Sequence, residues 1–191
     1  MSTITPLQAI RLTHNVLLKQ LITKGRLIGI TIIGLLPILL GWVIGRQSDD
    51  PLEAGVGFVS YMGLSILIPI VALIFASASL GDTREDGTLV YLWLRPTSRL
   101  SVSTGAWAAS ITIALPLTVI PMTVSAILLD AGNSVVTATI ITSILAVLAY
   151  SSLFVTLGLI VKNPVLWGLA YICLLYTSDA ADEEDSVDLG G

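Results

Sequence analysis

Residues 135–161 read VVTATIITSILAVLAYSSLFVTLGLIV: twenty-seven positions without Asp, Glu, Lys, Arg or His. At a rise of 1.5 Å per residue an α-helix of this length outruns a hydrocarbon core of about 30 Å. A water-soluble helix of that length would carry a polar face. This one carries only scattered hydroxyls, so the stretch is expected to cross a membrane. The same pattern recurs upstream, at about Leu27–Ile44, Gly57–Leu80 and Val102–Leu129. Four full spans are therefore expected, in a chain of 191 residues that is 54% hydrophobic and 12% charged, with a mean hydropathy of +0.92. The expected fold class is all-α, a polytopic transmembrane helical bundle. A fifth apolar run, Pro164 to Tyr176, has thirteen residues and is too short to cross. Pro69, Pro116 and Pro121 fall inside spans and predict kinks, with neighbouring helices and Ser/Thr hydroxyls taking up the freed carbonyls.

The chain divides into three parts. Residues 1–26 form an amphipathic segment, residues 27–176 the transmembrane domain, and residues 177–191 an acidic tail expected to be disordered. In "TPLQAIRLTHNVLLKQLITKGR", residues 5–26, Leu7, Ile10, Leu17, Leu18 and Leu21 fall on one helical face, and Gln8, Arg11, Asn15, Lys19 and Gln20 point elsewhere. Two uses fit that pattern: a helix lying in the membrane interface with its bases toward anionic headgroups, or one that packs on the bundle. The run that follows is of spanning length and has no small-residue cleavage motif, which argues against a cleaved signal peptide.

The formal net charge of −4 belongs to the tail. Residues 178–191 hold six acids and no base, and the remainder has seven acids against nine bases. Alternating the loops across the membrane puts eight of the nine bases on one side, with Arg46 the exception. The positive-inside rule makes that side the cytoplasm, so the N-terminus is expected there, in a multi-pass protein of the cell membrane. The loop between the second and third spans then also faces inward. It reads GDTREDGTLVYLWLRPTSR, Gly81 to Arg99, and holds six charges around a short apolar middle. Thr88 is placed to cap a helix whose dipole favours Glu85 and Asp86 before it and Arg95 after it; Pro96 stops it. Leu89, Leu92 and Trp93 share a face. The expectation is a short helix, Thr88 to Leu94, lying parallel to the membrane.

At these residues the chain resembles the permeases of the ABC-2 type transporter family. The matching residues are Arg84, Glu85, Gly87, Thr88, Leu89, Pro96 and Arg99, in a segment of the form R-E-x-G-T-L followed by a Pro and an Arg before the third span. The amphipathic N-terminus resembles the family's connecting helix, and Gly158 to Ile172 its short cytoplasmic turn between spans four and five. The resemblance implies a coupling segment at residues 81–101 that binds a separate ATP-binding cassette ATPase subunit. Leu89, Leu92 and Trp93 would fill an apolar groove there or pack up onto the spans, and Glu85, Arg95 and Arg99 would make charged contacts. It further implies a homodimer or heterodimer of permeases, surrounded by membrane lipid, with export as the direction and ATP used only by the partner. The family has six spans. The change of composition after Ile172, into CLLYTSDAADEEDSVDLGG, reads as foreign sequence joined to a C-terminally truncated permease; a natural acidic tail outside the cell is the other reading.

Several classes are disfavoured. No G-x-x-x-x-G-K-[ST] is present, so the chain is not itself the ATPase and binds no cofactor of its own. Single Cys173 and His14 exclude an intramolecular disulfide framework and a His/Cys metal centre. His14 reads as an interfacial polar residue and Cys173 as a small apolar one. Proton- or sodium-coupled carriers keep ionisable groups inside the membrane, and these spans have none. No nucleophile and base for an intramembrane enzyme, and no feature for nucleic acid, stands out. A secondary carrier and a membrane scaffold docking a non-ATPase partner remain as the other functional readings. GWVIG, Gly41 to Gly45, matches a helix-packing GxxxG, though such pairs arise by chance among sixteen glycines. Thr137, Thr139, Thr142, Ser143, Ser151, Ser152 and Thr156 of the fourth span could bond between helices or line a path.

Overall fold

The computed structural model of the chain describes residues 6–85, 99–161, 163–174 and 177. Every regular element among them is helical. In order they are α1 (Pro6–Leu21), α2 (Lys24–Gln47), α3 (Pro51–Phe58), a π-helix (Val59–Leu67), α4 (Ile68–Glu85), α5 (Arg99–Leu128) and α6 (Asn133–Ile160). A short apolar helix follows, α7 (Pro164–Leu174). Among the described residues three helices are long and apolar enough to cross a membrane: Pro51–Ser79, Leu100–Leu128 and Asn133–Ile160. In α6 only 28% of the apolar window is buried within the bundle. Leu35, Leu36, Leu39, Ile141 and Leu145 stand on the outside. An apolar exterior of this extent suits lipid and not water.

Three of the four expected spans coincide with these helices; for the first, Leu27–Ile44, the described residues give a shorter apolar helix, Thr31–Gln47, and several helix boundaries move. The first loop, read as Gly45 to Gly55, shrinks to Ser48–Asp50. Asp50 caps α3, its carboxylate accepting from the Leu52 and Glu53 amides at 3.1 and 3.2 Å, with Pro51 at the first helical position. The second span runs on past Leu80 to Glu85. At the N-terminus, α1 stops at Leu21, and Lys24 to Arg26 already belong to α2.

Helix directions follow from close approaches. Along α2, Gly34 lies against Leu117 and Pro121, Gly41 against Ser125, and Gly45 against Leu128 and Leu129 of α5. Both numberings rise together, so α2 and α5 run parallel. Gly55 meets Ala131, and Gly63 meets Met122, so the rod from Pro51 to Glu85 runs antiparallel to α5. The core lies where α4 meets α5 and α6. Ile68, Val71, Ala72, Phe75 and Ala76 of α4 are fully buried there beside Ala106, Ala109, Met122, Val147 and Phe154.

The GxxxG pair does form a packing face. A β-carbon on Gly41 would stand 2.9 Å from Ser125 Cβ, and one on Gly45 would stand 2.5 Å from the Leu128 carbonyl oxygen. Only hydrogen fits between these backbones. The turn after α5 needs its own geometry. Asp130 takes a left-handed φ of 54°. Its amide donates to Ile127 O at 3.1 Å and that of Ala131 to Ala126 O at 3.4 Å, which closes the helix as a Schellman turn. Gly132 follows at φ 85° and starts α6.

Helical structure continues through Pro37, Pro116 and Pro121. Before Pro69 the chain widens into nine residues of π-helix, in which the Ile68 amide reaches back to Gly63 O and Ser65 Oγ donates to Ser60 O at 3.2 Å. A five-residue step before a proline moves the carbonyl that its ring would strike.

Gly45→Ala is expected to lower the thermal midpoint in detergent, by a loss of roughly 1–3 kcal/mol from forcing two backbones apart. Gly29→Ala, with nothing within 4 Å of the added methyl, is expected to leave the midpoint unchanged or raise it. Equal effects of the two would remove the close-packing account of α2 and α5.

Candidate functional site

Antiparallel packing gathers the helix ends at two poles. One holds the start of α2, the end of α4, the start of α5 and the turn between α6 and α7. The other holds the α2–α3 turn at Ser48–Asp50 and the α5–α6 turn at Leu129–Gly132. By chain position the first pole has Lys24, Arg26, Arg84 and Arg99 at its helix ends, and the second has Asp49, Asp50, Glu53 and Asp130 against Arg46. The Arg46 guanidinium lies 4.0 Å from the centre of the Trp42 ring, a cation–π contact that holds the cation beside the helix.

The candidate segment hangs from the basic pole. Arg84 and Glu85 are the last two residues of α4, and Arg99 is the first of α5. Two consecutive, antiparallel, packed helices place these three backbones at one end of the bundle. Gly87, Thr88, Leu89, Leu92, Trp93, Arg95 and Pro96 lie outside the described residues, as does the expected Thr88–Leu94 helix.

Beside this pole α1 crosses α5. Its buried positions are Ala9, Thr13, Leu17 and Leu21, one per helical turn. This corrects the expected face: Leu17 and Leu21 are inside, whereas Leu7 is 79% exposed. The reason is closeness. A β-carbon on Gly105 would meet Thr13 Cβ at 2.8 Å and Ile10 O at 3.2 Å, so small side chains on α1 displace leucine from the contact. Thr13 spends its hydroxyl on Ala9 O at 2.9 Å. His14 reaches out to α5, with Nε2 3.1 Å from Thr112 Oγ1. Since Thr112 donates to Ala108 O at 2.8 Å, its oxygen is left to accept from the imidazole. α1 is thus tied to the bundle, while Leu12 and Val16 stay exposed on its flank. That tie between an N-terminal histidine and α5 has no signal in the spacing of residues.

The hydroxyls of α6 largely bond to their own helix. Thr137, Thr139, Thr142 and Thr156 donate to the carbonyls four residues back, at 2.7–2.9 Å, and Ser152 donates to Ala149 O at 2.7 Å. Ser143 and Ser151 are buried on the face turned inward, and among the described residues neither hydroxyl has a hydrogen-bond partner. The indole Nε1 of Trp107 is likewise buried and unpaired. Along α5, Thr118, Thr123 and Ser125 also bond to carbonyls four residues back. None of these is a carbonyl freed by Pro116 or Pro121, so the expected repair by these hydroxyls does not occur. Among the described residues no three of His, Cys, Asp and Glu converge as metal ligands.

No protein-family model matches the chain, and no curated protein or solved structure shows significant similarity to it.

A buried hydroxyl without a partner costs free energy, so Ser143→Ala and Ser151→Ala are each expected to hold or raise stability, by up to about 1 kcal/mol. Unfolding in detergent reads this. A clear loss in both would mean that the hydroxyls are bonded after all.

Proposed function

We propose that the chain is the membrane subunit of an ABC-2 type transporter, carrying substrate across the cytoplasmic membrane under the drive of a separate ATP-binding subunit. One observation carries the reading: a segment of the form R-E-x-G-T-L…P…R, Arg84 to Arg99, joins two packed helices of membrane length at the basic pole. α2, with 24 residues, serves as a further crossing. The basic pole faces the cytoplasm by the charge rule, with the N-terminus on the same side. α5, at 30 residues or about 45 Å, exceeds the hydrocarbon core, and α1 lies across its first turns in the headgroup layer.

The mechanism follows from what the segment is attached to. α4 and α5 are its two arms. α4 is the most buried helix, packed on α5, α6 and α1. An ATPase dimer that closes on ATP and holds Thr88 to Leu94 would pull on the ends of both arms together. The core could not deform gradually, so the response is a shift between two packed arrangements. Glu85, Arg95 and Arg99 fix register against the motor, and Leu89, Leu92 and Trp93 supply the apolar grip. The transport pathway forms between this permease and a second one, identical or related.

Two measurements test this. In a Cys173→Ser background, Thr97→Cys is expected to react with a membrane-impermeant maleimide only in opened cells, and Ser48→Cys in intact ones. Labelling of Thr97→Cys from outside would end the proposal. With orientation established, an ATP-binding protein is expected to co-purify with the wild-type chain, and Glu85→Lys to cut that co-purification at least tenfold. A cytoplasmic segment that retains no ATPase in the wild type would point instead to a scaffold docking another partner.

A further inference from the structure

Helix α1 packs on the bundle along one ridge. Ala9, Thr13, Leu17 and Leu21 are inside, where Thr13 meets Gly105 and the neighbouring His14 reaches Thr112. The helix on the other side of that contact, α5, is long and apolar enough to cross a membrane, and its apolar length starts at Leu100, close to Gly105. At its C-terminal end α1 is joined to α2 through Ile22 and Thr23. A helix held against the first turns of a membrane crossing has a bilayer as its nearest neighbour outside the protein.

The rest of its circumference is laid out in stripes. Arg11, Asn15 and Lys19 are exposed and four residues apart, on the side opposite the buried ridge. Next to them Leu12 and Val16, each 57% exposed, lie one turn apart. Among the described residues neither Arg11 nor Lys19 has an acidic partner. The sequence holds no acid before Asp49, which lies at the opposite pole. Two exposed cations without a counter-charge, beside an exposed aliphatic strip, match a surface that is negative where it is wet and hydrocarbon just beneath. An acidic protein segment would answer the cations and bring nothing for the strip.

We infer that α1 is a docking surface for anionic lipid, with Arg11 and Lys19 on headgroup phosphates and Leu12 and Val16 in the acyl boundary. One helix thereby serves both uses open to its sequence: the buried ridge holds the bundle and the outer stripes hold lipid. The inference rests on the membrane-spanning reading of α5 and not on the permease proposal; a chain that docks no ATPase would still hold the lipid.

The test uses the full chain with Cys173→Ser, reconstituted in vesicles of phosphatidylglycerol and phosphatidylcholine with identical acyl chains. A fluorophore is attached at Leu12→Cys, and a nitroxide quencher is carried high on the acyl chain of one lipid or the other. Both lipids are expected to quench it, phosphatidylglycerol being favoured by roughly fivefold or more, the factor that a single cation contributes at an anionic surface. Arg11→Gln combined with Lys19→Gln should bring the preference close to one, with the thermal midpoint in detergent unchanged. Raising the salt concentration should erode the same preference in the wild type, without any change at the two cations. A probe at Leu145→Cys, mid-span on α6 and 60% exposed in the wild type, should be quenched by either lipid alike. Equal quenching of the Leu12→Cys probe by the two lipids, or a preference that neither the double substitution nor salt reduces, overturns the inference. A shielded Leu12→Cys probe beside a quenched Leu145→Cys probe would mean that protein covers α1, whether a second copy or the acidic tail, and overturns the lipid assignment alone. If neither probe is quenched, the membrane reading falls with it.

Discussion

A peptide group surrounded by hydrocarbon has no solvent to bond, so it must find its partner inside its own segment. That constraint governs this molecule. It explains why every regular element among the described residues is a helix, and why most hydroxyls in α5 and α6 fold back on carbonyls of their own turn instead of reaching across. It also explains the economy of the connections. Ser48–Asp50 and Leu129–Gly132 are short, and each begins or ends with a specific device: the Asp50 cap on one, the left-handed Asp130 and Gly132 on the other.

With most hydroxyls bonded inside their own helix, and the His14–Thr112 contact apart, shape does the work between helices. The contacts that set direction and spacing fall on small residues: Gly34, Gly41 and Gly45 against α5, Gly55 and Gly63 on the rod, Gly105 under α1, Gly168 against α4. In lipid no solvent drives apolar faces together, so attraction depends on how closely two backbones approach. Many large side chains, Leu35, Leu39 and Leu145 among them, are exposed, while Phe75, Met122 and Phe154 fill the core. The central position of α4 follows. It touches α1, α5 and α6, and it runs without a break into the charged residues Arg84 and Glu85.

Three of the four expected spans match helices long and apolar enough to cross a membrane, and these could be read in the sequence because a charge is costly in a span; in place of the first, the described residues give only the shorter apolar helix Thr31–Gln47. Helix ends were less visible. Asp50-Pro51-Leu52-Glu53 is a good cap signal, yet its acids made it look like loop. The face of α1 was misread for a related reason: a hydrophobic pattern ranks Leu7 above Ala9 and Thr13, whereas contact with Gly105 selects for size. The π-helix before Pro69 left no mark, since its cause is a ring clash combined with the packing of Met122 over Gly63. Of the candidate segment, Arg84 and Glu85 fall inside the end of α4 and Arg99 at the start of α5, whereas the apolar pattern reads all three as loop.

The wide turns between Val59 and Leu67 have a consequence for how such a chain can vary. A turn closed over five residues in place of four holds one residue more than ordinary helix needs. Losing that residue would let the stretch tighten while Asp50 keeps its cap at one end and Phe75 its seat at the other. The middle of this rod is therefore where the chain can absorb a single deletion without shifting the core. A deletion on either side of it would turn every buried face beyond the cut by about 100°.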